Sequence, residues 1–484
     1  MSGEPKKVDR RNFLYVGLGA IAVVAIGAAA YIALNPPVVT QTTTVPTTSI
    51  VTTTSVATTT IPTTSVVTST TTSVTTVPGT IVLRWLTRDY NQKYSQQYVE
   101  QYKQISPNIK IILEAAPYPG LYEKQFTALA GGMGYDISES YTHRWIRPFA
   151  AMGFLLELDD FWQNELTEED RKDYFPKGIE MCSWKGHLYG IPTRTDGYAT
   201  YWNPELHEKL GLPMRAPKTW DEYLDFAKAL TVTDPSSGKK TQYGIGWIGN
   251  PAEDACNYCH IINMIWSLGG DILSEDMKPT LLRSEVIDTF KFLCDLGPLK
   301  HDVVAPGWMN LAWSDIQASF AKKYVAMITA VSVQGYFGIQ GVNPGMRVGI
   351  GRIPEGPAGA FCQPAGWAFA IAKSTPYPNE AKKLLKWLIE PQRVAYLTTA
   401  LPGRGKALEV EKYDVFRKDP LLEYGLQGGG EIVRTNTPLY STPATTELLT
   451  ILGKTFMECF QGADIRQRLE SAQSEMEKAL KKYQ

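Results

Sequence analysis

TIVLRWLTRDYNQKYSQQYVEQYKQISPNIKIILEAA, residues 80–116, is the stretch that decides the fold class. Its ends, TIVLRWL and NIKIILEAA, are short, β-rich and partly alternating, the pattern of strands with one buried face. Between them YNQKYSQQYVEQYKQI reads as a helix. Strand, helix and strand in that order predict a β-α-β unit, and so an α/β fold with helices covering a sheet. The same alternation continues downstream. NEAKKLLKWLIE reads as a helix with Asn379 at its cap. Near the end Ile465, Leu469, Ala472, Met476, Leu480 and Tyr483 recur at three- to four-residue spacing, one apolar face of a final helix. No internal repeat is evident.

The length of 484 residues suits two lobes plus accessory segments. A hydrophobic share of 44% with 20% charged residues is a globular composition. A net charge of −1 argues against a nucleic-acid partner, which calls for a basic face. The 25 Tyr and 12 Trp supply flat, rigid rings for cores and for binding walls alike.

The N-terminus speaks to compartment. Lys6, Lys7, Arg10 and Arg11 form a basic start, residues 1–12, and residues 13–34 then carry no charge. As a helix that run is roughly 33 Å long, enough for a bilayer core of about 30 Å. Basic residues on its near side orient the rest of the chain outward. Arg10-Arg11-Asn12-Phe13-Leu14 matches a twin-arginine export signal, and the pair also serves simple positive-inside orientation. GAAAY offers a signal-peptidase site after Ala30, so both a transmembrane anchor and a cleaved signal peptide are open. From residue 40 to 78, 25 of 39 residues are Thr or Ser, with no charge. This is a linker or stalk, residues 40–79, of a kind suited to O-glycosylation. A stalk is useful when its inner end stays attached, which favours an anchored protein on the extracellular face of the membrane.

Of the six cysteines, Cys256 and Cys259 stand in CNYCH, the spacing of a c-type haem attachment site. His-Glu-x-x-His, Gly-x-Ser-x-Gly and Walker A patterns do not occur. No cofactor is called for, and no catalytic signature is seen.

Several stretches stand in a familiar order. GGMGYDI leads to HRWIRPFAAMGFLLELDDF, then WKGHLYGIPTRTDGYATYWNPELHEKLGL, APKTWDEYLDFAKAL, IWSLGGDIL, AFAIAKSTPYPNEAKKLLKWLIEP and LPGRGKAL. Together, from residue 80 onward, they resemble the family 1 extracellular solute-binding proteins. These are the sugar receptors of ABC importers, maltose- and trehalose-binding proteins among them. The anchor and stalk resemble archaeal members. The resemblance implies a two-lobe periplasmic-binding-protein-like α/β fold (type II) with a hinge and an interlobe cleft. It implies lobes at 80–195 plus 367–436 and at 198–362 plus 441–484, with crossings near 196–197, 363–366 and 437–440. It implies a carbohydrate ligand, ABC permease subunits as partners, and a monomer. An exported carbohydrate-active enzyme, or the same fold holding a peptide or polyamine, are the competing readings.

A sugar needs aromatic walls and planar polar groups. The resemblance puts Arg88 and Asp89 at the C-terminal end of the first strand, where open α/β sheets bind ligands. It puts Tyr141, His143 and Trp145 in the turn after YDI, and Asp196 at the first crossing. Trp247, Asn250 and Tyr336 follow later strands. Gly366 and Trp367 lie at the returning crossing. Arg404 offers a fixed fork of donors to vicinal hydroxyls. Each of these side chains also has a packing role open to it. CNYCH falls where the family has an ordinary helix, so a haem would have to displace packing there. Cys256 and Cys259 are then a local disulfide or two thiols.

Overall fold

The computed structural model describes residues 79–132, 134–250, 259–398, 400–428 and 430–483. The basic start, the candidate anchor and nearly all of the stalk lie outside these residues, as does Cys256 and with it the Cys256–Cys259 pairing. Cys182, Cys294 and Cys459 are buried free thiols, and Cys362 is buried too. No helix among the described residues is long and apolar enough to cross a membrane.

The opening unit forms as its pattern predicts. Strand β1 (Ile81–Arg88) and strand β2 (Ile109–Ala116) pair in parallel, from Ile81 opposite Ile109 to Arg88 opposite Ala116. Helix α1 (Gln92–Ile105) connects them, burying Ser95, Tyr98 and Tyr102, one face at helical spacing. Tyr98 and Tyr102 meet Trp387 edge-on, at 5.8 and 5.2 Å between ring centroids. Trp387 belongs to the helix Pro378–Leu388.

The remaining strands are β3 (Ile137–Tyr141), β4 (Ser183–Trp184), β5 (His187–Leu188), β6 (Ile191–Trp202), β7 (Val232–Thr233), β8 (Lys240–Gly246), β9 (Val325–Val331), β10 (Gly349–Gly351) and β11 (Pro364–Ile371). All but the β4–β5 hairpin form one nine-stranded sheet in the order β2-β1-β3-β11-β6-β9-β8-β7, with β10 paired to β6. The strand that joins its halves is β6. All twelve of its residues are buried. Its first half pairs with β11 up to Gly197, and its second half pairs with β9 from Tyr198 onward. At that switch a Cβ on Gly197 would lie 2.6 Å from the Cys362 sulfur and 2.8 Å from Val433. Cys362 in turn bonds the 432–434 segment through Cys362 N–H to Ile432 O (2.8 Å) and Arg434 N–H to Cys362 O (3.0 Å). Three chain segments therefore run side by side where the sheet changes partners.

The longer helices after α1 are α2 (Leu121–Ala130), α3 (Trp220–Leu230), α4 (Cys259–Ser267), α5 (Ser284–Asp295), α6 (Trp313–Ala321), α7 (Ser332–Val342), α8 (Pro378–Leu388), α9 (Thr445–Phe460) and α10 (Ile465–Lys481). A first core gathers β1, β3, β11 and α8 around Leu83, Trp85, Phe149, Phe369 and Leu384. A second gathers α3, α4, α5, α9 and α10 on the β6–β8 side. A third packs Tyr201, Phe320, Ile328 and Val348. Ala400, Leu401, Tyr413, Phe416 and Leu422 join that third core, although the sequence grouped them with the first lobe. The hydroxyl of Tyr413, donating to Ala400 O at 2.7 Å, pins the loop there.

The final helix buries Leu469, Ala472, Met476 and Leu480 as the spacing predicts, whereas Tyr483 lies past the helix end, 41% exposed. In α8 the cap is Tyr377, not Asn379, because Pro378 occupies the first helical position. A proline there loses no hydrogen bond and is already shaped for the helix.

Candidate ligand-binding site

Three strand ends build the site. At the end of β1, Arg88 and Thr87 converge on the buried carboxylate of Glu139 in β3. Thr87 Oγ1 donates to Glu139 at 3.1 Å, the Arg88 guanidinium at 2.7 Å, and Asn91 Nδ2 at 2.9 and 3.1 Å. Arg88 and Glu139 are both about fully enclosed, at 2% and 1% side-chain exposure. A buried pair of this kind persists when its remaining polar atoms are also bonded, which Asn91 and Thr87 supply on the acid side. The pair fixes the guanidinium 4.1 Å above the ring of Trp367.

β3 ends at Tyr141 and runs into a π-helical turn, Thr142–Ile146, all of it buried. Such single turns recur at functional sites because the extra residue per turn re-aims side chains. Here the turn carries His143 and Trp145. On the neighbouring strand Trp367 stands opposite Tyr141 on one side and Arg194 on the other. Gly366 lets β11 approach: a Cβ there would sit 2.8 Å from Thr142 Oγ1 and 2.9 Å from Arg194 O.

The rings close around Trp367. Trp145 meets it edge-on at 5.2 Å, Tyr141 at 5.3 Å and Tyr118 at 5.8 Å. Tyr118, in the turn after β2, also stacks on Trp145 at 5.8 Å and 16°. It is half-buried and packs against both the first and the third core. The indole N–H of Trp145 is buried with no acceptor among the described residues. An unmet buried donor costs about 1–3 kcal/mol. The His143 ring lies 4.3 Å from that of Tyr440. Burial, then the charges of Arg144 and Arg147, push its pKa well down, so it is neutral.

Six of the expected residues thus come together: Arg88, Tyr141, His143, Trp145, Gly366 and Trp367. The others are engaged by protein partners or stand outside the ring cluster. Asp89 is exposed and accepts from the N–H of Tyr90 at 2.8 Å. Asp196 pairs with Arg194 at 3.0 Å, both buried, and accepts from Leu401 N–H at 3.4 Å. Trp247 is in the second core, stacked on His260 at 4.4 Å and 10°. The N–H of Asn250 donates to Leu311 O at 3.2 Å. Tyr336 sets its ring against Phe416 at 5.0 Å in the third core, and its N–H donates to the Tyr201 hydroxyl at 2.9 Å. Arg404 spends its fork on Asp170 (2.8 Å), Asp173 (2.5 Å) and Ile389 O (3.0 Å), and is 2% exposed.

Sequence reasoning missed Tyr118, Glu139 and the stacked pair Tyr198–Trp313, 6.0 Å apart on the β6–β9 side. Tyr118 had a readable signal. It sits in APYPG at the C-terminal end of a predicted strand, between two prolines that hold the turn open. Glu139 had none, since its importance comes from pairing across β1 and β3.

Residues 89–394, more than half of the chain, match the family model described as bacterial extracellular solute-binding protein. A binding protein of Brucella abortus (strain 2308) is 26% identical over 283 residues, 57% of this chain and 64% of the relative. The chain thus spans less than two thirds of that relative's length. The maltotriose-binding protein of Pyrococcus abyssi is 25% identical over 392 residues, 79% of this chain and 76% of its own. Among solved structures, maltose-bound MalE3 of T. maritima superposes with a TM-score of 0.69 at 20% identity, over 83% of this chain and all of that one. UgpB of Mycobacterium tuberculosis with glycerophosphocholine gives 0.70 at 20% identity, over 84% and 99%. At that identity the likeness speaks to fold alone, and the fold is the two-lobe α/β fold of periplasmic binding proteins. With its β-α-β opening, its sheet switching partners at Gly197 and residues 89–394 matching the family model, the chain belongs to the bacterial extracellular solute-binding protein family.

Proposed function

We propose that the protein is the extracellular substrate-binding component of an ABC importer. It takes a sugar or oligosaccharide between its two lobes and closes around it for delivery to the permease. The observation that carries this reading is the ring cluster of Trp367, Trp145, Tyr141 and Tyr118 at the strand ends. Sugars offer apolar C–H faces rimmed by hydroxyls, and such faces stack on aromatic rings. The unmet Trp145 N–H adds a hydrogen-bond donor at the same place. The nearby arginines are already engaged, Arg88 by Glu139 and Arg194 by Asp196, which favours a neutral ligand over a phosphate.

The relatives support the same reading. One is a maltotriose-binding protein, and another, from Halalkalibacterium halodurans, is an arabinooligosaccharide-binding protein, 25% identical over 189 residues. In our reading residues 80–195 and 367–399 form one lobe and 198–362 with 441–484 the other. The packing of Ala400, Leu401, Tyr413, Phe416 and Leu422 draws those parts of the 400–422 loop to the second, while Arg404 and Ala407 stay with the first. Ligand is released unchanged, since the protein binds rather than catalyses. It works as a monomer, held at the outer membrane face by residues 13–34 on a stalk of residues 40–79, with Arg10-Arg11 directing twin-arginine export.

A thermal-shift panel on the full-length protein tests the reading with maltotriose, arabinooligosaccharides, glycerophosphocholine, amino acids and polyamines. A ligand that binds the folded form raises the melting temperature by mass action. A rise with one saccharide series is expected. A rise with glycerophosphocholine, an amino acid or a polyamine and with no saccharide would overturn the substrate class.

A further inference from the structure

The π-helical turn that carries Trp145 into the ring cluster continues directly to Arg147, whose guanidinium points away to other partners. All three of those partners are main-chain carbonyls. Nε donates to Ser183 O at 3.1 Å, one terminal nitrogen to Glu180 O at 2.9 Å, and the other to Tyr440 O at 2.8 Å. Arg147 is buried, at 8% exposure. Glu180 and Ser183 precede β5 in the segment leading to β6, on the side of the first core, where Cys182 and Leu188 are members. Tyr440 is a member of the second core. One guanidinium therefore ties the site-bearing turn to the 180–183 segment and to Tyr440, a residue of the 437–440 crossing that packs in the second core. Two further contacts lie at the same place. Thr435 Oγ1 donates to Glu180 Oε2 at 2.7 Å, and the ring of His143 packs on that of Tyr440 at 4.3 Å.

We propose that Arg147 is a positioning residue for ligand capture: its bond to Tyr440 O couples the turn that carries Trp145 to the crossing at 437–440, and so holds the two lobes in the arrangement seen here. The proposal rests on the two-lobe capture reading, but it concerns the ligand-free molecule. A guanidinium suits the task because its planar fork serves three carbonyls in fixed directions, which an ammonium on a flexible stem does not. Thr435 acts in parallel with it. Carbonyl acceptors carry no charge of their own, so the latch has no strong Coulomb hold and opens when the lobes rotate. Trp145 lies two residues from Arg147 on the same turn, so rotation at the latch moves a wall of the site.

The test uses full-length protein without ligand, spin-labelled at Ile105→Cys and Leu299→Cys. These positions are 61% and 70% exposed, one at the end of α1 and one just after α5, with the unsubstituted chain as the labelling blank. The parent should show one narrow distance distribution. Arg147→Met should add a second population amounting to a third or more of the molecules, and Arg147→Lys a smaller one. A merely structural role lowers the melting temperature and leaves the distribution of the folded protein unchanged. That outcome overturns the proposal. If Arg147→Met does not fold, Thr435→Val and Arg147→Lys decide it: a second population in either supports the latch, and the parent distribution in both overturns it. Because no ligand is present, failure here leaves the substrate reading to its own test.

Discussion

Trp367 is 2% exposed, with the Arg88 guanidinium over its face and three aromatic rings about its edges, so it braces the first core as well as standing at the centre of the candidate site. Truncation cannot separate those roles. Trp367→Ala should lower stability by about 3–5 kcal/mol, read from urea unfolding, because the cavity adds to the lost burial. Trp367→Phe keeps most of the packing and should weaken saccharide binding by about tenfold, or ~1.4 kcal/mol, in a calorimetric titration. Arg404 is the opposite case. Its fork is consumed by Asp170, Asp173 and Ile389 O, so Arg404→Met should cost about 2–3 kcal/mol of stability and leave affinity unchanged. The same contact sets an acid limit. Burial, the largest effect on Asp170, raises its pKa, but bonds from Thr167 and Arg404 together with the Arg404 charge bring it below the usual value. A carboxyl depressed on folding stabilises above its unfolded pKa near about 4 and loses that contribution as pH falls through its lower folded value. Thermal melts between about pH 5 and about pH 2 should therefore fall less steeply in Arg404→Met than in the parent.

At the scale of elements, legibility followed locality. The β1–α1–β2 unit shows in the sequence because each piece carries its own period, and the face of α10 shows for the same reason. The start of α8 was misplaced because Asn379 is a good cap by type, while Pro378 before it is the better first residue. The π-helical turn of Thr142–Ile146 carries no sequence period at all. It exists because Tyr141 must end β3 opposite Trp367 while Trp145 returns to the same ring. Gly366 is what lets those two strands meet. Gly366→Ala should cost about 1–3 kcal/mol, measured by denaturant unfolding, because its Cβ would press on Thr142 Oγ1 and Arg194 O.

For the molecule as a whole, the order of motifs along the chain carried the family and the two-lobe fold, while half of the residues singled out for the site gather in the candidate cluster. Arg88, Tyr141, His143, Trp145, Gly366 and Trp367 come together at or just after strand ends and on the returning strand, which can be read from sequence. Trp247 and Tyr336 follow strands equally well, yet sit in the second and third cores, and nothing in their neighbours separates a core aromatic from a wall aromatic. The loop 400–422 illustrates the same limit, since its partners, Tyr201 and Ile328 among them, are far away in sequence. The most direct test of the central claim is calorimetric titration of the full-length protein with maltotriose and arabinooligosaccharides, followed by chromatography of the recovered ligand. One saturable site per chain for a saccharide, weakened in Trp367→Phe, and recovery of the sugar intact are expected. Heat from glycerophosphocholine or an amino acid with none from any saccharide, or recovery of cleaved sugar, would contradict it.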